Sequence, residues 1–287
     1  MALTGDAGSR QRLTFWFGCN MLRHAELIRL SVLLLEKAGF DVATVGGPAY
    51  CCGTAHDHQP KAASAMAHRT VERFNVLADR DARGTVVTWC PSCHMHMSDI
   101  MAPGAPTRFD TAHVCEILAD ASDRLAPLMT ATVKRRVLLH RHSGFQSTHV
   151  AVNDRVESLL RRIEGLEVVV AAPLPGHMCS SLASAPGALR KAAEVTWSSA
   201  SSAGCDTLAT VFHSCHREFA AMDGKDGISV RNWLHLIAES MGLEVADAYL
   251  EWRKGKELDR EAIERANPRH VEALVIPELK KAPPLER

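Results

Sequence analysis

The sequence predicts an α/β protein built from two pseudo-repeated domains, each with a short, mostly parallel sheet. Two observations support this fold class. Short apolar runs alternate with longer amphipathic stretches, which is typical of strand–helix–strand units with parallel strands. The second half of the chain also repeats landmarks of the first half at a nearly constant offset. We predict a first domain at residues 1–125, a second domain at 126–250 and a C-terminal extension at 251–287.

The first half of the chain contains short strands separated by helices. The predicted strands are rich in apolar, β-branched and aromatic residues: RLTFWFG at 12–18, FDVATV at 40–45 and GTVVTW at 84–89. Apolar residues recur every three or four positions at 22–38, and Gly39 follows as a C-cap, so this segment is predicted to be a helix. A second helical pattern lies near 61–80.

The second half contains the same order of elements. Its predicted strands share the apolar, β-branched pattern: VKRRVLLHRH at 133–142, GLEVVVAAP at 165–173 and DTLATVF at 206–212. VRNWLHLIAESMGL, at 230–243, is predicted to be an apolar helix. The clearest repeated landmark follows the last of these strands, where HSCHREF matches PSCHMHM when Cys215 is aligned with Cys93. The match indicates an internal duplication.

Cysteines are the most informative residues of the chain. There are nine of them, and the N-terminus lacks the apolar segment of a secretion signal, which argues against a disulfide framework and for metal or redox chemistry. Five of them form the pattern C-x31-CC-x37-C-x2-C and are Cys19, Cys51, Cys52, Cys90 and Cys93. Each group follows a predicted strand. Because parallel strands end at the same edge of a sheet, we expect the five thiols to converge there.

Composition excludes several classes of partner. Lys+Arg and Asp+Glu both total 33, so no overall charge attracts nucleic acid or an acidic membrane surface. The most apolar early run, LIRLSVLLLEKAGF, contains charged residues and is too short to span a bilayer. We therefore expect a soluble, cytoplasmic protein without a membrane span and without a nucleic-acid partner.

The five-cysteine pattern, with its CCG triplet at 51–53, resembles the cysteine-rich CCG domain. That domain is found, usually twice, in one of the subunits of heterodisulfide reductase and in related glycolate and lactate oxidation proteins. The resemblance covers about residues 15–245 and implies tandem CCG domains. It further implies that Cys19, Cys51, Cys52, Cys90 and Cys93 bind one non-cubane [4Fe-4S] cluster, since five thiolates exceed the four that a cubane uses.

The resemblance also implies partners and a reaction class. The chain would be the iron–sulfur subunit of a heterodisulfide reductase-like complex, and the neighbouring subunits would be a ferredoxin-like protein and a flavoprotein. It would exchange electrons with a thiol, disulfide or persulfide in sulfur metabolism. One alternative is an electron-relay subunit of a quinone-linked 2-hydroxyacid (lactate or glycolate) oxidase. A zinc or dithiol scaffold protein is the alternative from a non-enzymatic class.

The second copy of the motif has lost most of its cysteines. Ser143, Met178 and Phe212 occupy the positions of Cys19, Cys51 and Cys90. A second iron–sulfur cluster of this kind is therefore not expected. A tetrahedral zinc site is one interpretation, and an empty relic is the other. The candidate zinc ligands are Cys179, Cys215 and His213 with one of His140, His142 and His177.

His94 is the predicted catalytic residue. It follows Cys93 directly and recurs as His216 in the second half. An imidazole titrates near neutral pH and could therefore give a proton to a departing thiolate. The simpler interpretation is that His94, together with His56, His58 and His96, is a solvated loop residue.

Two other interpretations of the cysteines remain. TWCPSCH resembles the redox motif of thioredoxin-like proteins, and a CxxC with a partner pair could hold structural zinc. The first leaves Cys19, Cys51 and Cys52 without a role, and the second leaves one cysteine spare. Cys115 and Cys205 are expected to be buried small residues.

Overall fold

The computed structural model describes residues 10–56, 58–142, 147–170 and 185–254. Most of the predicted C-terminal extension, from residue 255 onward, lies outside these ranges. Spatial proximity divides the chain into two units. The first comprises Met1–Met21 and Ser31–Leu125, and the second comprises Leu22–Leu30 and Ala126–Arg287.

Strands and helices alternate along both units. The strands are β1 (Arg12–Trp16), β2 (Asp41–Val45), β3 (Thr85–Thr88), β4 (Asp110–His113), β5 (Arg135–His140), β6 (Leu166–Val170), β7 (Thr207–Thr210) and β8 (Ser229–Asn232). The α-helices are α1 (Ala25–Lys37), α2 (Pro60–Asp81), α3 (Pro91–His96), α4 (Ala102–Gly104), α5 (Val114–Asp120), α6 (Ser122–Leu125), α7 (Ser147–Leu160), α8 (Pro186–Ser202), α9 (His213–Phe219), α10 (Trp233–Ser240) and α11 (Ala248–Arg253). Short 3-10 turns cover Asn20–Arg23, Pro48–Tyr50, Thr54–His56, Ala126–Leu128, Ala220–Met222 and Lys225–Gly227, and one π-helical turn covers Met97–Met101.

The first unit contains a parallel sheet with the strand order β2-β1-β3-β4. Trp16, the last residue of β1, lies beside Val45 of β2 and Thr88 of β3. Thr88 in turn lies beside His113 of β4. The strands therefore end at the same level, and the loops that follow them start from one edge of the sheet.

The second unit repeats this architecture. Its sheet has the order β6-β5-β7-β8, which is the same arrangement of second, first, third and fourth strand. At the carboxyl edge, His140 pairs with Thr210 and Thr210 pairs with Asn232. The predicted fold class is confirmed: an α/β protein of two pseudo-repeated units with parallel sheets.

The fourth strand of each sheet was not expected from the sequence. The first is β4, whose DTAH sequence has no apolar run. The second is β8, which occupies the start of the segment predicted as a helix at 230–243. The prediction was therefore wrong for residues 230–232. Val230–Asn232 pair with β7, and the helix begins at Trp233, where the Asn232 side chain accepts a hydrogen bond from the Leu234 N–H. β4 and β8 are four residues long and each contains only one apolar residue, so neither gives a clear strand signal in the sequence.

Helix ends follow local chemistry. Gly39 has φ +89° and its N–H donates to the Glu36 carbonyl, so the predicted C-cap of α1 is confirmed. The 3-10 turn Asn20–Arg23 occupies the start of the segment predicted as helix from residue 22, and α1 begins only at Ala25. In the described part of the chain, no helix has both the length and the apolar character needed to cross a bilayer.

Candidate functional site

The loop after β1 brings Cys19 towards the loop after β3. Gly18, which precedes Cys19, has φ +80°, a backbone conformation that suits glycine. A Cβ at this position would lie 3.1 Å from Cys93 Sγ and 3.2 Å from the Cβ of Cys90. The missing side chain therefore lets the two loops approach closely.

The loop after β2 carries the adjacent pair Cys51 and Cys52. The Thr70 hydroxyl of α2 donates to the Cys51 carbonyl at 2.8 Å. Gly53 follows with φ +92°, and a Cβ there would lie 2.4 Å from the Ala63 carbonyl oxygen. Only glycine fits between this loop and α2, which explains the third residue of the CCG triplet.

The structure brings the five predicted thiols together. Hydrogen-bond contacts join their side chains in the order Cys19, Cys51, Cys52, Cys93 and Cys90. These cysteines come from three loops and more than seventy positions of sequence, yet their sulfurs form one continuous series. Among the described cysteines, none of the five takes part in a disulfide.

Contacts between the thiols lower the pKa values of two of the five cysteines and raise those of the other three. Contacts from Cys19 and Cys52 lower the pKa of Cys51, and the contact from Cys93 lowers the pKa of Cys90. The same contacts raise the pKa values of their partners. The pKa of Cys52 rises to about 11 because its thiol hydrogen-bonds to Cys51, with burial adding to the effect. Five thiolates therefore cannot form at neutral pH unless positive charge is brought into the site.

Apolar side chains surround three of the sulfurs. Cys52, Cys90 and Cys93 belong to one buried cluster with large apolar residues, which include Trp16, Phe74, Met97 and Met101. Cys19 is the exception among the five because it is partly exposed. Four buried sulfur donors and one at the edge suit a soft metal centre that is kept out of water.

His94 points into the protein scaffold. Its Nδ1 lies 2.8 Å from the Thr88 hydroxyl at the end of β3, and its ring lies edge-on to His113. The second unit repeats this pair as His216 and Thr210, at 3.3 Å. The same contact between the end of the third strand and the following helix therefore occurs in both units. A catalytic role for His94 stays a prediction.

The interpretation as solvated loop residues holds for His58, which is exposed, whereas His56 is partly buried. It was wrong for His94 and His96. Both side chains are buried, with exposed fractions of 5% and 8%. The sequence does not distinguish these positions because the cysteine loop continues directly into helix α3. Burial there depends on packing against other elements.

His113 is a residue that sequence reasoning missed. Its Nδ1 accepts a hydrogen bond from the Cys115 backbone N–H, so the ring proton is on Nε2. Nε2 then donates to the Trp89 carbonyl at 2.8 Å, next to Cys90. Glu116 completes a capping box with the His113 N–H, and the H-x-x-E spacing was the available signal. His113 thus holds the loop that presents Cys90.

The second unit brings some of its predicted ligands together. His142 Nδ1 lies 3.2 Å from Cys215 Sγ, and both residues are buried. His213 is buried nearby, and neither of its ring nitrogens has a hydrogen-bond partner among the described residues. His140 instead packs its ring against Phe219, with centroids 4.8 Å apart. The predicted ligands His177 and Cys179, together with Ser143 and Met178, lie outside the described residues.

A group of buried histidines surrounds this part of the second unit. His24, which the sequence analysis did not single out, lies 5.9 Å from both His213 and His216 between ring centroids. His216 Nε2 is 2.7 Å from Asp247 Oδ2. Burial lowers the pKa of His24 well below its usual value and the pKa of His213 to about 3. The imidazoles of His24 and His213 are neutral at pH 7 and are therefore competent as metal ligands.

In both units the candidate ligands contact one another directly. Across the described ranges, no group of three or more His, Cys, Asp and Glu side chains is arranged around a metal-sized centre. The sulfur series of the first unit and the pair formed by His142 and Cys215 are the arrangements on which metal chemistry can be argued.

Comparison with known proteins agrees with the position of the sulfur series. Residues 13–98 match the family model CCG, described as a cysteine-rich domain. This range contains all five cysteines of the series and supports a redox or metal-binding role for the first unit. No curated protein matches the chain.

The buried histidines predict acid sensitivity of the second unit. Burial lowers the pKa of His235 to about 4, whereas an unfolded histidine titrates near 6.5. Between these values the unfolded chain binds a proton that the folded chain does not. The free energy of unfolding should therefore fall as pH decreases from 7 to 5, by about 2 kcal/mol for this residue.

The test is urea unfolding of wild type and His235→Leu at pH 7 and pH 5. The substitution should reduce the change in the free energy of unfolding between pH 7 and pH 5 by about 2 kcal/mol. His68→Leu, at an exposed position of α2, is the control and should leave it unchanged. Equal pH dependence in His235→Leu and wild type would contradict the assignment.

Proposed function

We propose that this chain is the iron–sulfur subunit of a heterodisulfide reductase-like complex, an oxidoreductase that acts on sulfur groups. Cys19, Cys51, Cys52, Cys90 and Cys93 would hold one non-cubane [4Fe-4S] cluster. The single observation that carries the proposal is the continuous contact series of five sulfurs at the carboxyl edge of the first sheet. Four sulfurs suffice for a cubane, so the fifth favours an opened cluster.

The chemistry of the donor set fits this group. Thiolates are the usual ligands of iron–sulfur clusters, and metal binding drives them to deprotonate. The raised pKa values of Cys19, Cys52 and Cys93 indicate thiols that retain their protons until a cation arrives. When bound, the cluster supplies one-electron redox chemistry.

The protein residues around the sulfurs have distinct tasks in this proposal. Trp16, Phe74 and Met97 exclude water from Cys52, Cys90 and Cys93. His113 holds the Cys90 loop through the Trp89 carbonyl. His94, from its buried position beside Thr88, is retained as the candidate proton donor to a departing thiolate.

The assembly and location are proposed on the same basis. A ferredoxin-like protein and a flavoprotein, as the neighbouring subunits, would exchange electrons with the cluster, and a thiol, disulfide or persulfide would be the substrate. The cytoplasm suits this assembly because its reducing conditions keep cysteines as thiols. The formal net charge of zero is compatible with docking to either partner.

A zinc ion is proposed for the second unit. Cys215 and His142 are already in contact, and His213 offers two buried nitrogens without a described partner. Together with Cys179 or His177, they would complete a tetrahedral set of sulfur and nitrogen ligands. A zinc ion there would be structural because four protein ligands leave no open coordination position for water or substrate.

One observation favours a second candidate function. Cys51, Cys52, Cys90 and Cys93 are all buried, which suits a cluster that relays electrons without touching a substrate. The chain would then serve a quinone-linked 2-hydroxyacid oxidase. An organic disulfide should change the EPR signal of the anaerobic protein if the first proposal holds. An EPR signal that does not change on adding disulfide favours the electron-relay function. A colourless protein favours a zinc or dithiol scaffold.

Iron analysis tests the cluster directly. Anaerobically purified protein should be brown and contain about four iron and four sulfide per chain. Cys51→Ser should strip or convert the cluster because a hydroxyl is a poorer iron ligand than a thiolate. Cys205→Ser is the matched control, since Cys205 lies before β7 of the second unit, and it should keep the wild-type spectrum. Acid-labile sulfide near zero in wild type rules the cluster out.

Zinc analysis tests the second unit separately. Cys215→Ala should lose zinc and retain iron, and Cys205→Ala should retain both. Adding Cys179→Ala to Cys215→Ala should remove any residual zinc. A zinc content that does not change in the double variant would dismiss the site.

A further inference from the structure

A groove lies along α2 of the first unit, next to the sulfur series. Its volume is about 290 Å³, and the π-helical turn Met97–Met101 forms its other side. Among the described lining residues there is no Lys, Arg, Asp or Glu. Apolar side chains line most of it, among them Ala63, Ala67, Val71, Ile100 and Met101, and the polar side chains are those of Ser64, His68 and His96.

Two polar contacts connect this groove to the sulfurs. His96 lines the groove, and its Nδ1 lies 3.2 Å from the Thr54 hydroxyl oxygen. The same hydroxyl oxygen lies 3.1 Å from Cys52 Sγ. A path of two hydrogen bonds therefore runs from the groove to one member of the series.

The direction of both hydrogen bonds follows from which atoms carry a hydrogen when Cys52 ligates iron. A cysteine that ligates iron is a thiolate, which only accepts hydrogen bonds. The Thr54 hydroxyl has one hydrogen and must donate it to Cys52 Sγ. Its oxygen can then only accept from His96, so the Nδ1 of His96 must carry a proton.

The shape of the groove limits what it can hold. Its volume suits a small organic molecule and is too small for a helix of a partner protein. The apolar walls favour an aliphatic group, and Ile100, which is 56% exposed, extends the apolar surface outwards. The π-helical turn adds to the case because such turns recur at functional sites.

We propose that this groove binds the aliphatic part of an organic thiol or disulfide, and that Thr54 and His96 are positioning residues for the Cys52 sulfur. This inference rests on the proposed function, since it takes Cys52 as a cluster ligand. A hydrogen bond to a ligating sulfur stabilises the more negative, reduced cluster and raises its reduction potential.

The groove is tested by filling it. Ser64 and Ala65 are neighbouring exposed residues of α2, and only Ser64 lines the groove. Ser64→Trp should raise the concentration of dipropyl disulfide needed to perturb the EPR signal at least tenfold, whereas Ala65→Trp should match wild type. Cystine, which is charged, should perturb the signal more weakly. Equal responses of the two tryptophan variants would overturn the groove as the binding site.

The hydrogen-bond path is tested at Thr54. Thr54→Val keeps the shape of the side chain and removes the hydroxyl, so the reduction potential of the cluster should shift downwards. Thr54→Ser keeps the hydroxyl and should preserve the wild-type potential. Iron and sulfide contents are measured for each variant. A wild-type potential in Thr54→Val with full iron content would overturn the positioning role.

Failure of the inference differs from failure of the proposed function. If wild-type protein contains iron and sulfide but the paired variants behave alike, only the inference fails. If wild type contains no iron, the cluster proposal fails, and calorimetry with dipropyl sulfide, an unreactive thioether, still tests the groove. Binding of dipropyl sulfide that is lost in Ser64→Trp but kept in Ala65→Trp supports the groove as the binding site. Equal binding by the two variants, or no binding by wild type, overturns it.

Discussion

The arrangement of the first unit depends on parallel strands that end at one level. Trp16, Val45 and Thr88 lie side by side at the carboxyl edge, so the three loops beyond them start from neighbouring points. Cysteines that are far apart in the chain can meet only because of this geometry. If the register of one strand shifted by a residue, every side chain of that strand would change faces and its loop would move away.

The close approach of the loops places five ionisable thiols side by side, where negative charge on one disfavours ionisation of the next. Gly18 and Gly53 remove the side chains that would keep the loops apart. The sulfurs then share protons, and the thiol groups at Cys19 and Cys93 resist ionisation because their neighbours are already acidic. In the proposed function, cationic iron would stabilise the thiolates and release the remaining protons. The same crowding that disfavours ionisation of the thiols would thus favour the binding of a cluster.

The two units show how one scaffold supports different chemistry. The contact between threonine at the strand end and histidine in the following helix occurs in both, as Thr88 with His94 and as Thr210 with His216. The two units share this contact, whereas most of the cysteines of the first unit have no counterpart at the matching positions of the second. The second unit contains the neutral, buried imidazoles of His24 and His213, and nitrogen ligands of this kind suit a single metal ion better than a cluster. The two units therefore share one architecture and differ in the side chains at its carboxyl edge.

The sequence alone determined the α/β class, the repeat and the grouping of the cysteines after strands, because these depend on local periodicity and spacing. It did not reveal β4 and β8, since each is four residues long and contains only one apolar residue. Tertiary structure alone decided that His113 supports the Cys90 loop, that His96 reaches Cys52 through Thr54 and that His24 joins the histidines of the second unit. Such partners are set by how distant segments pack, and no spacing along the chain encodes which ring nitrogen faces which atom.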